Sequence, residues 1–379
     1  MSYSLTANIE WANVGRAERD SAMINNWFQR SDSPLSLRLD IMYSFAAAEH
    51  NTHPVLDTFI AYCYRWQTIN LSLYERLIPT MNAVKHCPLL RTLEISVAGF
   101  SPESPHTLDA FEYAPLLRNV TLHIHPRTIK LPWARITQCS VEGGYECLDI
   151  MRQSSNVVTF SLELQEIPRS TILPPIILGS LFTLNIFSHV SDLHPILDHI
   201  VAPVLANITF RSSMVYASTQ TFPIIPFLSR WSSTLESMTL RHIHLTEQEL
   251  IRCLRETPLL RTLMIEEHNL PTCVGRTLLR ALHPGVSDSF CLVQNLQSIL
   301  LEGSFVGFCG EYFIEMVESR SWKCTKVVNN HPHAIPEYAQ LKLIVLKSRT
   351  KPIMGEEVMR RLDKMNGDGL LDVRICIYD

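Results

Sequence analysis

One pattern constrains this chain more than any other: apolar-x-x-apolar-x-apolar, usually just after a proline or a polar turn. It appears as Trp66/Ile69/Leu71, Leu90/Leu93/Ile95, Leu117/Val120/Leu122, Val157/Phe160/Leu162 and Leu181/Leu184/Ile186. It continues as Leu205/Ile208/Phe210, Leu235/Met238/Leu240, Leu260/Leu263/Ile265 and Leu296/Ile299/Leu301. A degenerate copy, Trp133/Ile136, carries Gln138 where the third apolar residue should stand. From Ile69, the steps between middle residues are 24, 27, 16, 24, 24, 24, 30, 25 and 36, with a mean of about 26. The 16-residue step implies a missing segment, and the 36-residue step an insertion near 273–290. The alternation at the end of each copy is strand-like, because successive side chains in a strand point to opposite faces. Helical stretches lie between. In Thr246-Glu-Gln-Glu-Leu-Ile-Arg-Cys-Leu-Arg, Thr246 and Glu249 form a capping box, and Leu250, Cys253 and Leu254 share one face. Pro54 to Tyr64, Tyr145 to Gln153 and Asp192 to Val201 read the same way.

A strand-and-helix unit recurring every 20–29 residues or so is the leucine-rich repeat. One unit cannot bury its own apolar face, and stacked neighbours do. The expected fold is therefore α/β: a leucine-rich-repeat solenoid with a curved parallel sheet on the concave side and helices on the convex side. Regular spacing, and the lack of any glycine-rich βα loop, favour it over an ordinary series of βαβ units. Residues 1–34 read as an N-terminal helical cap, in which 16–30 form an amphipathic helix carrying Met23, Ile24, Trp27 and Phe28. The solenoid spans 35–305, with Pro34-Leu-Ser-Leu-Arg-Leu as a candidate first strand. Residues 306–379 form divergent C-terminal repeats or a cap, where Leu341/Ile344/Leu346 and Leu370/Val373/Ile375 fit the pattern at wider steps of 45 and 29. Gly355 to Met365 between them reads as a helix.

Composition narrows the function. With 33 basic and 37 acidic residues the net charge is −4, and no Lys/Arg-rich run occurs. A grip on nucleic-acid phosphates is not expected. No apolar run approaches 18 residues, and Pro174 and Pro175 break the nearest one, so no membrane span is expected. The first residues have neither a charged nor an apolar region of a signal peptide. The ten cysteines include no C-x-x-C, and they read as reduced, mostly buried thiols. The expected compartment is cytoplasm or nucleus.

The sequence resembles the leucine-rich-repeat region of fungal, mushroom-type F-box proteins across roughly residues 20–305. The likeness rests on Trp27-Phe-Gln-Arg-Ser-Asp-Ser-Pro-Leu-Ser-Leu, His86-Cys-Pro-Leu-Leu-Arg-Thr-Leu-Glu-Ile and Tyr113-Ala-Pro-Leu-Leu-Arg-Asn-Val-Thr-Leu. Leu131-Pro-Trp and Thr257-Pro-Leu-Leu-Arg-Thr-Leu add to it. The resemblance implies a protein-interaction scaffold, the substrate-recognition part of an F-box-type ubiquitin ligase adaptor. In that family an N-terminal F-box docks on the Skp1 adaptor and the repeats select the substrate. No Leu-Pro-x-Glu followed by an apolar helix occurs in residues 1–60, so the F-box is expected to be missing here. Binding to a Skp1-type adaptor is then expected only if an F-box lies upstream. The alternative is a stand-alone leucine-rich-repeat binding protein with no ligase role.

In a repeat stack the residues between the apolar strand positions face outward. The first two such columns are mostly Thr, Ser and Asn, which suit cross-strand hydrogen bonding. The third runs Ser72, Ser96, His123, Cys139, Glu163, Phe187, Arg211, Arg241, Glu266 and Glu302. Its variety marks it for partner selection, since Arg and aromatic residues are preferred anchors. The expected partner-binding residues are His123, Glu163, Phe187, Arg211, Arg241 and Glu266.

Other patterns carry less. His123/His125 and His242/His244 are His-x-His pairs, but no third ligand stands at a supporting spacing, so no metal is expected. Asp363-Lys-Met-Asn-Gly-Asp-Gly-Leu-Leu-Asp resembles a calcium loop. Its register puts Lys364 and Ile375 where acids are needed, and a glycine-rich turn into the last strand is expected instead. The N-x-[ST] triplets at Asn70, Asn119 and Asn207 fall on expected strands. No nucleophile elbow, P-loop, zincin or dinucleotide motif occurs, so neither an enzyme nor a cofactor is expected.

Overall fold

The computed structural model describes residues 3–8, 14–31, 33–40, 53–99, 106–124, 129–144, 147–165, 174–189, 194–213, 224–231, 233–243, 245–267, 273–284, 291–303, 308–321, 338–348 and 354–377. It divides into two compact units: residues 1–181 with 199–201, and residues 182–198 with 202–379. Each is α/β with a parallel sheet.

In the first unit the order is β1 (Tyr3–Asn8), α1 (Val14–Gln29), β2 (Leu35–Asp40), α2 (Pro54–Ala61) and β3 (Trp66–Tyr74). Then follow α3 (Ile78–Met81), β4 (Thr92–Ala98), β5 (Asn119–His123), β6 (Gln138–Gly143), α4 (Cys147–Gln153), β7 (Thr159–Leu164) and the two-residue β8 (Ile176–Ile177). Strands β1 to β7 pair in chain order, all parallel. Each strand buries alternate residues. Leu93, Val120, Cys139 and Phe160 are register partners, and Ile95, Leu122, Val141 and Leu162 form the next buried row. Side chains that repeat at one level pack on one another, which is what an in-register parallel sheet buries best.

Helix α1 confirms the amphipathic reading of 16–30 only in part. Ile24 and Phe28 are buried, while Met23 is 65% exposed. Phe28 meets Phe59 edge-on at 5.6 Å, so α1 closes over α2. A buried arginine fastens this corner. Arg65 donates from Nη1 to the Phe28 carbonyl at 2.8 Å and from Nη2 to the Ser33 carbonyl at 2.8 Å. Buried His53 caps α2, its Nδ1 accepting from the Val55 N–H at 3.1 Å. Burial pushes the His53 pKa down to about 4, because the charged form loses its water.

The degenerate copy has a different register from the one expected. Val120 pairs with Cys139, not with Ile136, and Leu122 pairs with Val141. The true copy is Ile136/Cys139/Val141, with all three buried. The steps around it are 19 and 21 residues, so no segment is missing. Cys139 is thus core, and Glu142 takes its place in the outer column. Strand β1 was not expected either.

In the second unit the order begins with β9 (Thr183–Ser188) and α5 (His194–Leu197). Residues 199–201 belong to the first unit, where β10 (Ile200–Val201) pairs with β8. The helix expected over 192–201 is therefore only one turn long, because the chain turns back into a short strand. The unit resumes with β11 (Asn207–Ser212), α6 (Ile225–Ser229), β12 (Ser237–Arg241), α7 (Glu247–Arg255), β13 (Thr262–Glu266) and α8 (Arg276–Leu282). It ends with β14 (Ser298–Gly303), α9 (Gly310–Ser321), β15 (Leu343–Ser348), α10 (Glu356–Gly367) and β16 (Asp372–Ile377).

From β9 to β16 the seven strands of this unit pair in parallel with no shift of register. The row Leu184, Ile208, Met238, Leu263, Ile299, Ile344 and Val373 lies at one level. The capping box of α7 is present, with Thr246 Oγ1 accepting from the Glu249 N–H at 3.2 Å. Helix α8 fills the 36-residue step. Here too a buried arginine acts as a clamp. Arg320 donates to the carbonyls of Leu282 at 2.7 Å, Leu292 at 2.8 Å and Val293 at 3.3 Å. The segment resembling a calcium loop is half helix, since Asp363 to Gly367 close α10, and Gly369 turns the chain at φ +68. No helix among the described residues is long and apolar enough to cross a membrane.

Candidate interaction surfaces

Parallel pairing without slippage has a direct consequence. Side chains at one strand position line up across the sheet, with neighbours about 4.8 Å apart. The third outward column is such a line, and each unit carries a stretch of it.

In the first unit it starts short, with Ser72 opposite Ser96. Ser96 is opposite His123. Glu142 follows on β6 and is opposite Glu163 on β7. His123 Nδ1 lies 2.9 Å from Glu142 Oε2. The other Glu142 oxygen accepts from the Gln165 side-chain amide. His123 and Glu163 are therefore not neighbours, because Glu142 stands between their strands. His125, the other half of the His-x-His pair, lies outside the described residues.

In the second unit the line runs Phe187, Arg211, Arg241, Glu266, Glu302 and Lys347. Arg211 is exposed, and its guanidinium lies 4.8 Å from the centre of the Phe187 ring. Such a stack at an exposed site is worth about 0.5–1 kcal/mol. His189 also packs on Phe187 with ring centres 4.5 Å apart, and Ser213 Oγ sits 2.9 Å from His189 Nδ1. Two arginines stand opposite each other here, and like charges in register repel. They turn apart, Arg211 onto Phe187 and Arg241 onto Glu266 at 3.4 Å.

Glu266 also receives His242 Nε2 at 3.2 Å. His242 reaches it from a left-handed backbone, φ 55, whose N–H donates to the Glu266 carbonyl at 2.7 Å. A non-glycine residue in that conformation costs roughly 1–2 kcal/mol, against which the backbone bond to Glu266 stands. His244 lies outside the described residues. Glu302 pairs with Lys347 Nζ at 3.3 Å.

Of the six expected residues, Phe187, Arg211, Arg241 and Glu266 form one row in one unit. His123 and Glu163 belong to the other. Sequence reasoning missed Glu142, through the register error, and weighed His242 only as half of a His-x-His pair, though it lies one residue beyond the column. It also passed over Lys347, which follows Leu346 of a recognised copy and was findable by the same count. None of the three N-x-[ST] asparagines departs from expectation: Asn70, Asn119 and Asn207 all lie on strands. A comparison with models of known protein families finds no match, and a search of curated proteins finds none either.

Proposed function

We propose that the chain is a leucine-rich-repeat solenoid and works as a protein-interaction scaffold, the substrate-recognition part of an F-box-type ubiquitin ligase adaptor. The observation that carries the binding role is the outward row Phe187–Arg211–Arg241–Glu266. An aromatic ring, two guanidiniums and a carboxylate stand side by side on consecutive strands of a rigid sheet. Their contacts hold the side chains in place before any partner arrives, which lowers the ordering cost of binding. Mixed charge beside apolar area is the composition of a moderately polar, non-obligate interface. The ligase role rests on the resemblance described above, and docking on a Skp1-type adaptor requires an F-box upstream of these residues.

Replacing Phe187, Arg211 and Arg241 together by alanine tests the binding role. The expected outcome is loss of the partner captured by the unaltered chain, with a circular-dichroism melt close to wild type. Capture that survives the triple change overturns the assignment of this row.

A further inference from the structure

The turns that precede the strands carry chemistry that the sheet face does not use. Pro-Leu-Leu-Arg occurs three times, at 88–91, 115–118 and 258–261. Each copy makes the same turn: the N–H of the second leucine donates to the carbonyl three residues back, Leu90 to Cys87, Leu117 to Ala114 and Leu260 to Thr257. The second leucine is fully buried in all three, and the first is 38%, 37% and 42% exposed. The arginine then sits one residue before its strand.

The copies differ in what faces that arginine. The Arg261 N–H donates to the Glu236 carbonyl, so Glu236 is its cross-strand neighbour, and the Arg261 Nε lies 3.8 Å from the Glu236 carboxylate. The Arg118 N–H donates to the Arg91 carbonyl instead. Two arginines therefore stand at one level on adjacent strands, an arrangement that repels. Neither they nor nearby Lys85 and Arg135 form an ion pair among the described residues.

Two cavities open here, and residues 112–119 line part of each. One, of about 350 Å³, is lined by Arg91, Leu116, Arg118 and Asn119. The other, of about 400 Å³, has Lys85, His86, Tyr113 and Arg135 in its wall, and Glu112 is its one acid. Four cations thus face one carboxylate in a chain whose net charge is −4. Arg118 and Arg135 are oriented by a shared acceptor. Each donates from Nη1 to the Pro115 carbonyl, at 3.3 and 3.0 Å. A guanidinium has five N–H donors, so most remain for a ligand. Tyr113, 69% exposed, adds an aromatic surface beside them.

We propose that these cavities bind an acidic linear segment of a partner protein, with anionic side chains on Arg91, Arg118 and Arg135 and an apolar side chain against Leu116 and Tyr113. Planar guanidinium forks suit carboxylate or phosphate oxygens. Two cavities flanking one turn suit a ligand with several anchoring groups, such as an extended peptide whose alternate side chains stand about 7 Å apart. The site is separate from the outward row of the second unit and does not rest on the reading of that row.

Fluorescence anisotropy with three labelled dodecapeptides tests it: one alternating Glu and Phe, one with phosphoserine in place of Glu, one with Gln. The acidic peptides should bind at least tenfold more tightly than the Gln peptide, and high salt should weaken them. The tighter of the two acidic arms identifies carboxylate or phosphate as the natural anion. Arg91→Glu with Arg135→Glu should weaken binding at least tenfold without lowering the melting temperature, and Glu112→Gln should strengthen it. The Phe187/Arg211/Arg241 alanine variant should bind these peptides as wild type does. Equal binding of the Gln peptide, no binding by any peptide, or indifference to the double charge reversal overturns the proposal. So does loss of binding in the triple-alanine variant, which would put the peptide on the sheet face.

Discussion

The two units bury the same kind of core and differ in what one shared turn sets against its arginine. In the second unit several cations of the sheet face and the helices have carboxylate partners: Arg241 with Glu266, Lys347 with Glu302, Arg230 with Asp198, Arg361 with Glu318. In the first unit Arg118 and Arg135 donate only to main-chain carbonyls. The contrast is sharpest where the local sequence is the same. Pro-Leu-Leu-Arg folds identically at 115–118 and 258–261, yet its arginine meets Arg91 in one case and Glu236 in the other. The motif serves the fold through its buried leucine. What its arginine faces is set by one residue just ahead of the preceding strand. A parallel sheet whose strands pair in register lets the two roles vary independently.

The largest effects should fall on the shared core, where the units are alike. Leu93→Ala in the first unit and Leu184→Ala in the second each remove a fully buried side chain from the middle row of a sheet. Each should cost about 2–5 kcal/mol, the range for large-to-small changes in a packed core. Denaturant melts check both. A large cost for one and a loss below about 1 kcal/mol for the other would show that the cores are not equivalent.

A smaller effect depends on pH and is local to the first unit's His53 cap. His53 has an ordinary pKa near 6.5 when unfolded and about 4 when folded, since burial disfavours its charge. The folded state therefore favours the neutral ring. Its stability is complete above pH 6.5 and is lost as pH falls toward 4, where both states bind the proton. At pH 5 the loss should be about 2 kcal/mol. His53→Asn keeps a capping acceptor without a titrating ring. The stability gap between wild type and this variant should narrow by that amount between pH 7 and pH 5, and a constant gap would falsify the assignment. In the second unit the comparable local element is the Thr246 cap. Thr246→Ala should cost about 1 kcal/mol at either pH, read from the same melts.

Much of the fold was legible because strand alternation and burial obey one rule along the chain. Strands β3, β4, β5, β7, β9, β11, β12, β13 and β14 lie where the pattern put them. The rule failed at Cys139, whose thiol fills an apolar position without being read as an apolar residue. Trp133 and Ile136 then drew the register three residues early. Strand β1 lacks the full pattern and owes its place to pairing with β2, which is tertiary information. The outward column was legible as a set of positions. Its internal pairings were not, because they depend on side-chain reach and on the left-handed turn at His242. The cavities were hidden for a different reason. Pro-Leu-Leu-Arg carries a family likeness, but the exposure of its first leucine is a property of the folded turn, and the charge that faces its arginine comes from a residue distant in sequence. A comparison of Arg91, Arg118 and Arg261 with their predecessors, Gln67, Arg91 and Glu236, would have found the difference by counting alone.

The smallest effect is the most direct test of the contrast. Arg91→Glu would give Arg118 the neighbour that Arg261 already has. It removes a like-charge pair and creates an opposite one at the surface. Exposed ion pairs are worth about 0.2–1 kcal/mol, so the variant should be more stable than wild type by a few tenths of a kcal/mol. The reciprocal change, Glu236→Arg, should destabilise by a similar amount. Both differences should fade in 1 M salt, where charges are screened within about 3 Å. Paired melts at low and high salt measure them. If Arg91→Glu is neutral or destabilising at low salt, Arg91 and Arg118 do not repel, and the first unit's edge is no more frustrated than the second's. If it stabilises, the wild-type chain keeps a less stable arrangement at the mouth of a cationic cavity. That is the cost expected of a surface kept ready for an anionic partner.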